Sequence, residues 1–125
     1  MSVTISSTIK HVPSHPYAAV AEAILGTRYT VSLVFIGATR AKTLNQTTRG
    51  KEYIPNVLSF ELDQRHGEIY ICPIVAAKEA AKFDLTPHGY ILYLFIHGCL
   101  HLKGHPHGSA MDRLEQKYIR QFSVH

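Results

Sequence analysis

The stretch HGCLHLKGHPH, residues 97 to 107, contains four histidines in eleven positions. His97 and His101 are four residues apart, so on a helix their imidazoles project from the same face, one turn apart. Gly104 then allows the chain to reverse, which brings His107 back toward the same point. Three nitrogen ligands with one open position are typical of catalytic zinc sites, whereas structural zinc sites close all four positions and favour cysteine. The spacing therefore predicts a catalytic metal site.

The remaining residues of the stretch have other expected roles. A single histidine on an apolar helix is more often a core residue than a ligand, but three at this spacing favour metal binding. His105 precedes His107 by two residues and would not point at the same ion, so we assign it to substrate contact or to the surface. Cys99 falls on another face of the helix and is predicted to be core. Zinc is the expected ion, although imidazole also accepts nickel and cobalt.

The residues near the histidines indicate which reactions the metal site could catalyse. Gly98 occupies the position where an HExxH metalloprotease carries its general-base glutamate, so the peptidase mechanism lacks its base. A zinc ion still lowers the pKa of a bound water to about 7. Three neutral ligands leave the charge of the ion uncancelled, which favours an anionic substrate such as a phosphodiester. Arg49, in a charged segment expected to be an exposed loop, is the candidate phosphate clamp, with a solvated surface charge as the alternative.

The first half of the chain predicts alternating strands and helices. Val3–Ile9 alternates as a half-buried strand does, and a helix signal runs from Ser14, with a proline in its first turn, to a stop at Gly26. Residues 29–37, YTVSLVFIG, are β-branched and apolar, as expected for a central strand buried on both faces. Residues 38–48 have the composition of a short polar helix, and the charged loop follows them.

The second half supplies the elements that carry the histidines. Residues 56–62 and 67–73 are expected to form a hairpin, and residues 73–83 a helix that opens on a proline. Thr86 is a good N-cap for a long buried helix that ends at Gly104. Ser109 is expected to cap a last amphipathic helix, whose apolar stripe consists of Met111, Leu114, Tyr118 and Phe122.

Length and composition bound the architecture. The chain has 125 residues, of which 46% are hydrophobic and 18% charged, as in one folded domain. We therefore expect a single α+β domain over residues 1–125, with a small mixed β-sheet packed against helices and the metal site at the end of the central buried helix.

Three further features concern environment and partners. The longest apolar run, residues 89–96, is shorter than the roughly 20 residues that span a bilayer, and the N-terminus does not resemble a secretory leader, so a cytoplasmic protein is expected. Cys72 and Cys99 are too few for a disulfide framework and are expected to be reduced. A net charge of +4 favours polyanionic partners.

The histidine stretch resembles the signature of the YbeY family of bacterial metal-dependent endoribonucleases, in which three histidines at this spacing hold zinc. Residues 44–62, LNQTTRGKEYIPNVLSFEL, resemble the other characteristic stretch of the family, and GEIYICP its following strand. The likeness extends over roughly Leu33 to Phe122.

The resemblance implies zinc ligation by His97, His101 and His107, and an Arg49 that faces the substrate. It also implies a role in maturing the 3' end of 16S ribosomal RNA and in ribosome quality control, with ribosomal RNA and the small ribosomal subunit as partners. Two departures stand out. Pro106 replaces an aspartate of the family, and residues 54–55, Ile-Pro, replace a Pro-Thr pair. If that aspartate orients a ligand, its loss is expected to weaken metal affinity.

Three functions remain open from sequence. The leading hypothesis is a zinc-dependent, single-strand-specific endoribonuclease in which Arg49 stabilises charge on the phosphate. The second is another metal-dependent hydrolase. The third is a non-catalytic ribosome-assembly factor, in which the metal only fastens the helix end to the loop. An open coordination position in a basic groove would favour the first, and a closed fourth position would favour the third.

Overall fold

The computed structural model describes residues 2–7 and 13–125. Within them, strands and helices alternate along most of the chain, as expected for an α+β protein. The strands are β1 Ser2–Ser7, β2 Thr30–Phe35, β3 Val57–Asp63 and β4 His66–Ile71. The helices are α1 Tyr17–Leu25, α2 Ala38–Arg49, α3 Pro73–Glu79, α4 Pro87–Lys103 and α5 Ser109–Gln121, and a short 3-10 helix, Ala80–Phe83, follows α3.

The four strands form one mixed sheet in the order β1-β2-β4-β3. β2 pairs in parallel with both β1 and β4, while β3 and β4 form the expected antiparallel hairpin. β2 is interior, as predicted, but its side chains alternate between fully and partly buried, so only one of its faces is completely covered. The last two residues of the first expected strand, 8 and 9, lie outside the described residues.

Helix α4 is the centre of the molecule. Nearly all of its residues between Gly89 and Leu102 are buried, and it packs on α1, α3 and α5 as well as on β3 and β4. The helix approaches the sheet closely at Gly98, where an added Cβ would lie 3.0 Å from Ile69 Cδ1 and 3.0 Å from Ser59 Oγ. A glycine there lets the helix lie directly against the hairpin, next to the first histidine of the cluster.

Both ends of α4 follow the sequence signals. Thr86 Oγ1 accepts a hydrogen bond from the backbone N–H of Gly89 at 3.0 Å, which confirms the predicted N-cap. Gly104 is left-handed, with φ 106°, and its N–H donates to the carbonyl of His101 at 2.9 Å, which confirms the predicted end. The backbone oxygen of His125 accepts from the N–H and the hydroxyl of Thr86, so the end of the described chain lies against the start of α4.

Three helix boundaries differ from the sequence prediction. Gly108, not Ser109, is the N-cap of α5, because its φ of 153° suits a residue without a Cβ. Pro16, rather than Ser14, precedes the first residue of α1. Helix α2 continues to Arg49 and ends at a left-handed Gly50, so Arg49 is the last residue of a helix and not part of the following loop.

Two expectations about environment can be compared with the structure. Cys72 and Cys99 are both buried free thiols. In the part of the chain that the structure describes, helix length and hydropathy do not reach what a membrane crossing requires.

Candidate metal centre

Three imidazoles meet at the C-terminal end of α4. The ring centroids of His97 and His101 are 4.5 Å apart, those of His101 and His107 are 4.5 Å apart, and those of His97 and His107 are 5.1 Å apart. One potential ligand atom from each ring lies within 4.8 Å of the others. The helical spacing aligns the first two rings, and the turn between Gly104 and Gly108 returns the third. The expected three-histidine geometry is therefore present.

Hydrogen bonds fix which nitrogen of two rings carries a proton. His97 Nδ1 contacts a carboxylate oxygen of Glu115, and His101 Nδ1 lies 3.1 Å from the backbone oxygen of His105. An ionised carboxylate and a carbonyl can only accept, so both Nδ1 atoms donate. In a neutral imidazole the other nitrogen is then an acceptor, so the Nε2 atoms of His97 and His101 present lone pairs.

These two lone-pair nitrogens face each other. His97 Nε2 and His101 Nε2 are 3.0 Å apart, a distance at which two unprotonated acceptors repel. A cation bound between the two nitrogens would accept both lone pairs and remove this repulsion. Two ligand nitrogens at 2.0–2.1 Å from a tetrahedral zinc ion are roughly 3.3 Å apart, close to the spacing here. The donor set and its geometry therefore fit a divalent metal ion.

The electrostatics of the cluster favour the same protonation state. Burial lowers the pKa of His101, and the neighbouring His97 and His107 lower it further. A lowered pKa keeps the imidazole neutral near pH 7, and neutral imidazole is the form that binds metals.

Glu115 is a residue of the candidate site that was not identified from the sequence. It is only 5% exposed, its Oε2 accepts from His97, and its Oε1 accepts from the hydroxyl of Tyr93 at 3.2 Å. A carboxylate behind a ligating imidazole fixes the ring and increases its basicity. It also places a negative charge beside the cluster, so the expectation of an uncancelled ionic charge was incomplete. Its signal in the sequence was an acidic residue four positions after Met111, within the apolar stripe of α5.

The other residues of the histidine stretch serve as support. His105 contributes its backbone oxygen to His101, and its half-buried side chain is not among those that line the cleft described below. Pro106 is exposed. Cys99 is fully buried, and burial raises the pKa of its thiol, which confirms the core assignment. Glu115 and the His105 backbone thus orient two of the three candidate ligands although Pro106 replaces the aspartate.

A cleft of about 540 Å³ opens from the histidines. It runs between the region after α2, the start of β3, the 3-10 helix and the exposed side of α4. Its lining residues are Arg49, Tyr53, Pro55, Asn56, Val57, Leu58, Ser59, Phe83, Tyr90, Tyr93, Leu94, His97, His101 and His107.

Arg49 reaches this cleft from the end of α2. Its exposed guanidinium donates to the hydroxyl of Tyr53 at 3.3 Å. The loop that carries Tyr53 is fastened by the buried Asn45, whose Nδ2 donates to the Tyr53 carbonyl at 3.0 Å and whose own carbonyl accepts from Lys51. The structure therefore brings Arg49 and the three histidines to one cleft, as the sequence analysis expected.

Comparison with known proteins supplies the family. The family model described as Endoribonuclease YbeY matches residues 3–123. The chain belongs to the YbeY family. Because this match begins at residue 3, the likeness is longer than the Leu33–Phe122 stretch recognised from motifs, and the first thirty residues contribute to it.

Individual YbeY-family relatives agree with this assignment. The Endoribonuclease YbeY of Neisseria meningitidis serogroup B is 38% identical over 91 residues, which are 64% of this chain and 54% of that protein. The Endoribonuclease YbeY of Thermotoga maritima is 32% identical over 99 residues, 73% of this chain and 66% of that protein. The match thus spans only about half to two thirds of the length of these relatives. The solution structure of TM1509 from Thermotoga maritima superposes with a TM-score of 0.65 at 26% identity, covering 96% of this chain and 88% of that one.

Proposed function

We propose that residues 1–125 form a zinc-dependent endoribonuclease domain that cleaves single-stranded RNA. The observation that carries the proposal is the convergence of the Nε2 atoms of His97 and His101, with His107 beside them, at a cleft that also holds Arg49. Membership of a family described as endoribonucleases supplies the reaction class.

Each residue has a chemical role in this proposal. His97, His101 and His107 hold the ion, which supplies Lewis acidity and a water of lowered pKa. Glu115 keeps the proton on Nδ1 of His97, so that Nε2 remains a ligand. Arg49 offers the planar donors that suit two oxygens of one phosphate, and so orients the scissile group and offsets charge that develops on it. His105 acts in our proposal as a positioning residue through its backbone rather than as a substrate contact.

The exposure of the third histidine supports a catalytic rather than a structural role for the ion. His97 and His101 are half-buried, whereas His107 is exposed at the cleft. An ion held by these three residues would be open to water and substrate on the side of His107, as in catalytic zinc sites. This favours an enzyme over an assembly factor in which the metal only fastens the α4–α5 turn.

The biological substrate in this proposal is ribosomal RNA. By resemblance to the family, the chain would act in the cytoplasm on the 3' end of 16S ribosomal RNA, in its maturation and in ribosome quality control, together with the small ribosomal subunit. The net charge of +4 is compatible with an RNA partner because it favours association with phosphate backbones.

The deciding experiment combines metal analysis with a cleavage assay. Purified protein is assayed for zinc, nickel and cobalt content and for cleavage of a labelled single-stranded RNA, the matching RNA duplex and the matching single-stranded DNA. We expect about one ion per chain, and cleavage of the single-stranded RNA that a chelator abolishes and added zinc restores. A folded, metal-loaded protein that cleaves no RNA would favour the assembly-factor hypothesis, and cleavage that survives chelation would refute metal dependence.

An RNA that copies the 3' end of the small-subunit precursor, compared with a shuffled RNA of the same composition, tests the ribosomal substrate. We expect faster cleavage of the native sequence and a small set of defined products. Equal cleavage of the two RNAs would contradict a maturation role while leaving the nuclease activity in place.

A further inference from the structure

Two exposed aromatic side chains line the cleft that opens from the histidines. Among the described residues, six large apolar side chains are exposed, and four of them are aliphatic. Tyr53, 55% exposed, and Phe83, 49% exposed, are the two aromatic members, and both line the cleft, whereas the four aliphatic side chains do not. Aromatic surface is therefore exposed selectively at the candidate site.

Phe83 packs in a cluster of three aromatic rings that reaches the metal ligands, and its ring centroid is 5.7 Å from that of Tyr93, at 31°. The Phe83 centroid is 5.1 Å from that of Tyr90, with 20° between the planes, and Tyr90 lies 5.5 Å from Tyr93 at 14°. Tyr93 in turn lies 6.5 Å from the imidazole of His97 at 30°. The flat face of Phe83 is thus nearly parallel to rings that connect it to the histidine cluster.

The two tyrosines of this cluster, Tyr90 and Tyr93, are held in place by hydrogen bonds. The hydroxyl of Tyr90 donates to Glu79 Oε1 at 3.3 Å, and Asn56 Nδ2 donates to the same oxygen at 2.9 Å. The hydroxyl of Tyr93 donates to Glu115. Tyr90 is itself only 2% exposed. Phe83 therefore rests on a rigid base, and little conformational freedom is lost when a ligand covers its exposed surface.

We propose that Phe83 is a stacking platform for one nucleobase of a single-stranded RNA whose backbone passes Arg49 and the histidine cluster. The proposal rests on the proposed function and specifies how its substrate is bound. Unpaired bases stack on aromatic side chains with little dependence on sequence, while cationic groups bind the phosphates beside them. The cleft offers both kinds of contact, with the aromatic platform at one part of its wall and Arg49 at another.

The same contact explains a preference for single strands. A base within a duplex is already stacked on its neighbours and paired across the helix, so it must leave both contacts before it can reach Phe83. An unpaired base meets no such cost. The platform therefore discriminates by the availability of a base face rather than by the identity of the base.

The test compares Phe83→Ala and Phe83→Trp with a matched control, Ile74→Ala. Ile74 is 53% exposed on α3 and does not line the cleft. Cleavage of an eight-nucleotide RNA by the metal-loaded proteins gives kcat and KM, and metal content and Tm are measured beside them. We expect Phe83→Ala to raise KM about tenfold, to change kcat little, and to leave metal content intact, since base stacking contributes to binding. Phe83→Trp should retain wild-type KM, and the Ile74 variant should match wild type.

A second measurement asks whether the lost contact is with a base. A series of RNAs, each with one base removed but its ribose and phosphate kept, is assayed with wild type and with Phe83→Ala. One abasic position should raise the wild-type KM about tenfold and have no further effect on the variant. If no position behaves in this way, or if Phe83→Ala has the KM of wild type, the stacking platform is refuted while the nuclease assignment stands.

Two further outcomes separate a failure of the stacking platform from loss of the fold and from a failure of the proposed function. If Phe83→Ala unfolds, Phe83→Leu takes its place, because leucine retains apolar volume without an aromatic face. This variant should have the Tm of wild type and the same rise in KM. A wild-type KM in folded Phe83→Leu would refute the stacking platform. A metal-loaded wild type that cleaves no RNA would overturn the proposed function and the platform with it.

Discussion

Among the described residues, three histidines lie at the N-terminal end of helix α4 and four, including His105, at its C-terminal end, and only His97, His101 and His107 have the geometry of a metal site. The C-terminal group consists of His97, His101 and His107, and the N-terminal group of His15, His88 and His125. In the N-terminal group, His15 Nε2 lies 2.7 Å from the backbone oxygen of His88, and the two rings are tilted by 31° with centroids 4.0 Å apart. His125 contributes a backbone oxygen to Thr86.

The difference lies in how the ring nitrogens are used. At the C-terminal end, Glu115 and the His105 backbone accept from Nδ1, so that Nε2 of each ring points at the shared position. At the N-terminal end, Nε2 of His15 contacts the carbonyl of His88 itself, so this nitrogen is engaged by the backbone of the neighbouring histidine and not by a separate residue behind the ring. Histidines therefore form a ligand set when the nitrogens left free by acceptors behind the rings converge on one position, as they do for His97 and His101.

The largest effect is expected when a ligand is removed from the C-terminal group. His101→Ala should lose most of its metal and reduce RNA cleavage to about 0.1% of wild type or less, because two imidazoles do not hold an ion firmly. His88→Ala, the matched change in the N-terminal group, should keep about one ion per chain. Metal analysis and cleavage rates measure both. Metal loss in His88→Ala would show the comparison to be wrong. So would a result in which His105→Ala loses the ion and His101→Ala keeps it.

Arg49→Ala should have the next largest effect, because it removes the cation that shares the cleft with the C-terminal group. We expect kcat/KM for single-stranded RNA to fall by about tenfold to a thousandfold, with metal content and Tm unchanged, since the side chain is exposed. Arg49→Lys should restore part of the rate because it keeps the charge but loses the planar fork.

Arg40→Ala is the control for this prediction, since Arg40 is exposed on the same helix and does not line the cleft. Equal cleavage by wild type and Arg49→Ala would return Arg49 to the role of a solvated surface charge. Lost metal or a lowered Tm in Arg49→Ala would instead indicate a structural role.

Glu115→Gln should have a smaller effect that is specific to metal binding. Glutamine still offers an oxygen to His97 Nδ1 but lacks the negative charge, so metal affinity should fall by about tenfold to a hundredfold while the fold persists. Competition with a chelating dye measures the affinity. Asp112→Asn, the same charge change at an exposed position of α5, should leave affinity unchanged. Equal affinities for wild type and Glu115→Gln would remove the carboxylate from the metal centre.

The smallest effect is expected at the N-terminal end, where the contacts are structural. Thr86→Ala removes the cap of α4 and the hydroxyl contact with His125, and should cost about 1 kcal/mol of stability, or about 4 °C in Tm, with metal content unchanged. Thr47→Ala, an exposed position inside α2, should not lower Tm. Reduced metal affinity in Thr86→Ala would mean that the two ends of α4 are coupled.

The parts of the site that follow from local rules were predictable from the sequence. The helical spacing of His97 and His101, the reversal at Gly104 and the cap at Thr86 each depend on residues a few positions apart. Arg49 was identified by its place before the β3 strand, although the helix that carries it is one residue longer than its composition suggested, because Gly50 in a left-handed conformation ends it.

The parts that depend on packing between distant elements were not predictable. Glu115 meets His97 only because α5 packs against α4, and a stripe pattern does not specify which residue faces it. The strand order β1-β2-β4-β3 is likewise a property of the folded sheet. The aromatic cluster of Phe83, Tyr90 and Tyr93 joins the 3-10 helix to α4, and the hydroxyls of its two tyrosines bond to Glu79 and Glu115, contacts that the sequence does not reveal.

Gly98 limits the evolutionary routes open to this site. A glutamate beside His97 would create the HExxH pattern of a metalloprotease with a single residue change in the protein. Any side chain there, however, places its Cβ 3.0 Å from Ile69 Cδ1 and from the hydroxyl oxygen of Ser59, so these two side chains must give way by a few tenths of an ångström before the new carboxylate can be positioned. A change from this chemistry to peptide hydrolysis therefore asks for room at Ile69 or Ser59 as well as for the glutamate itself.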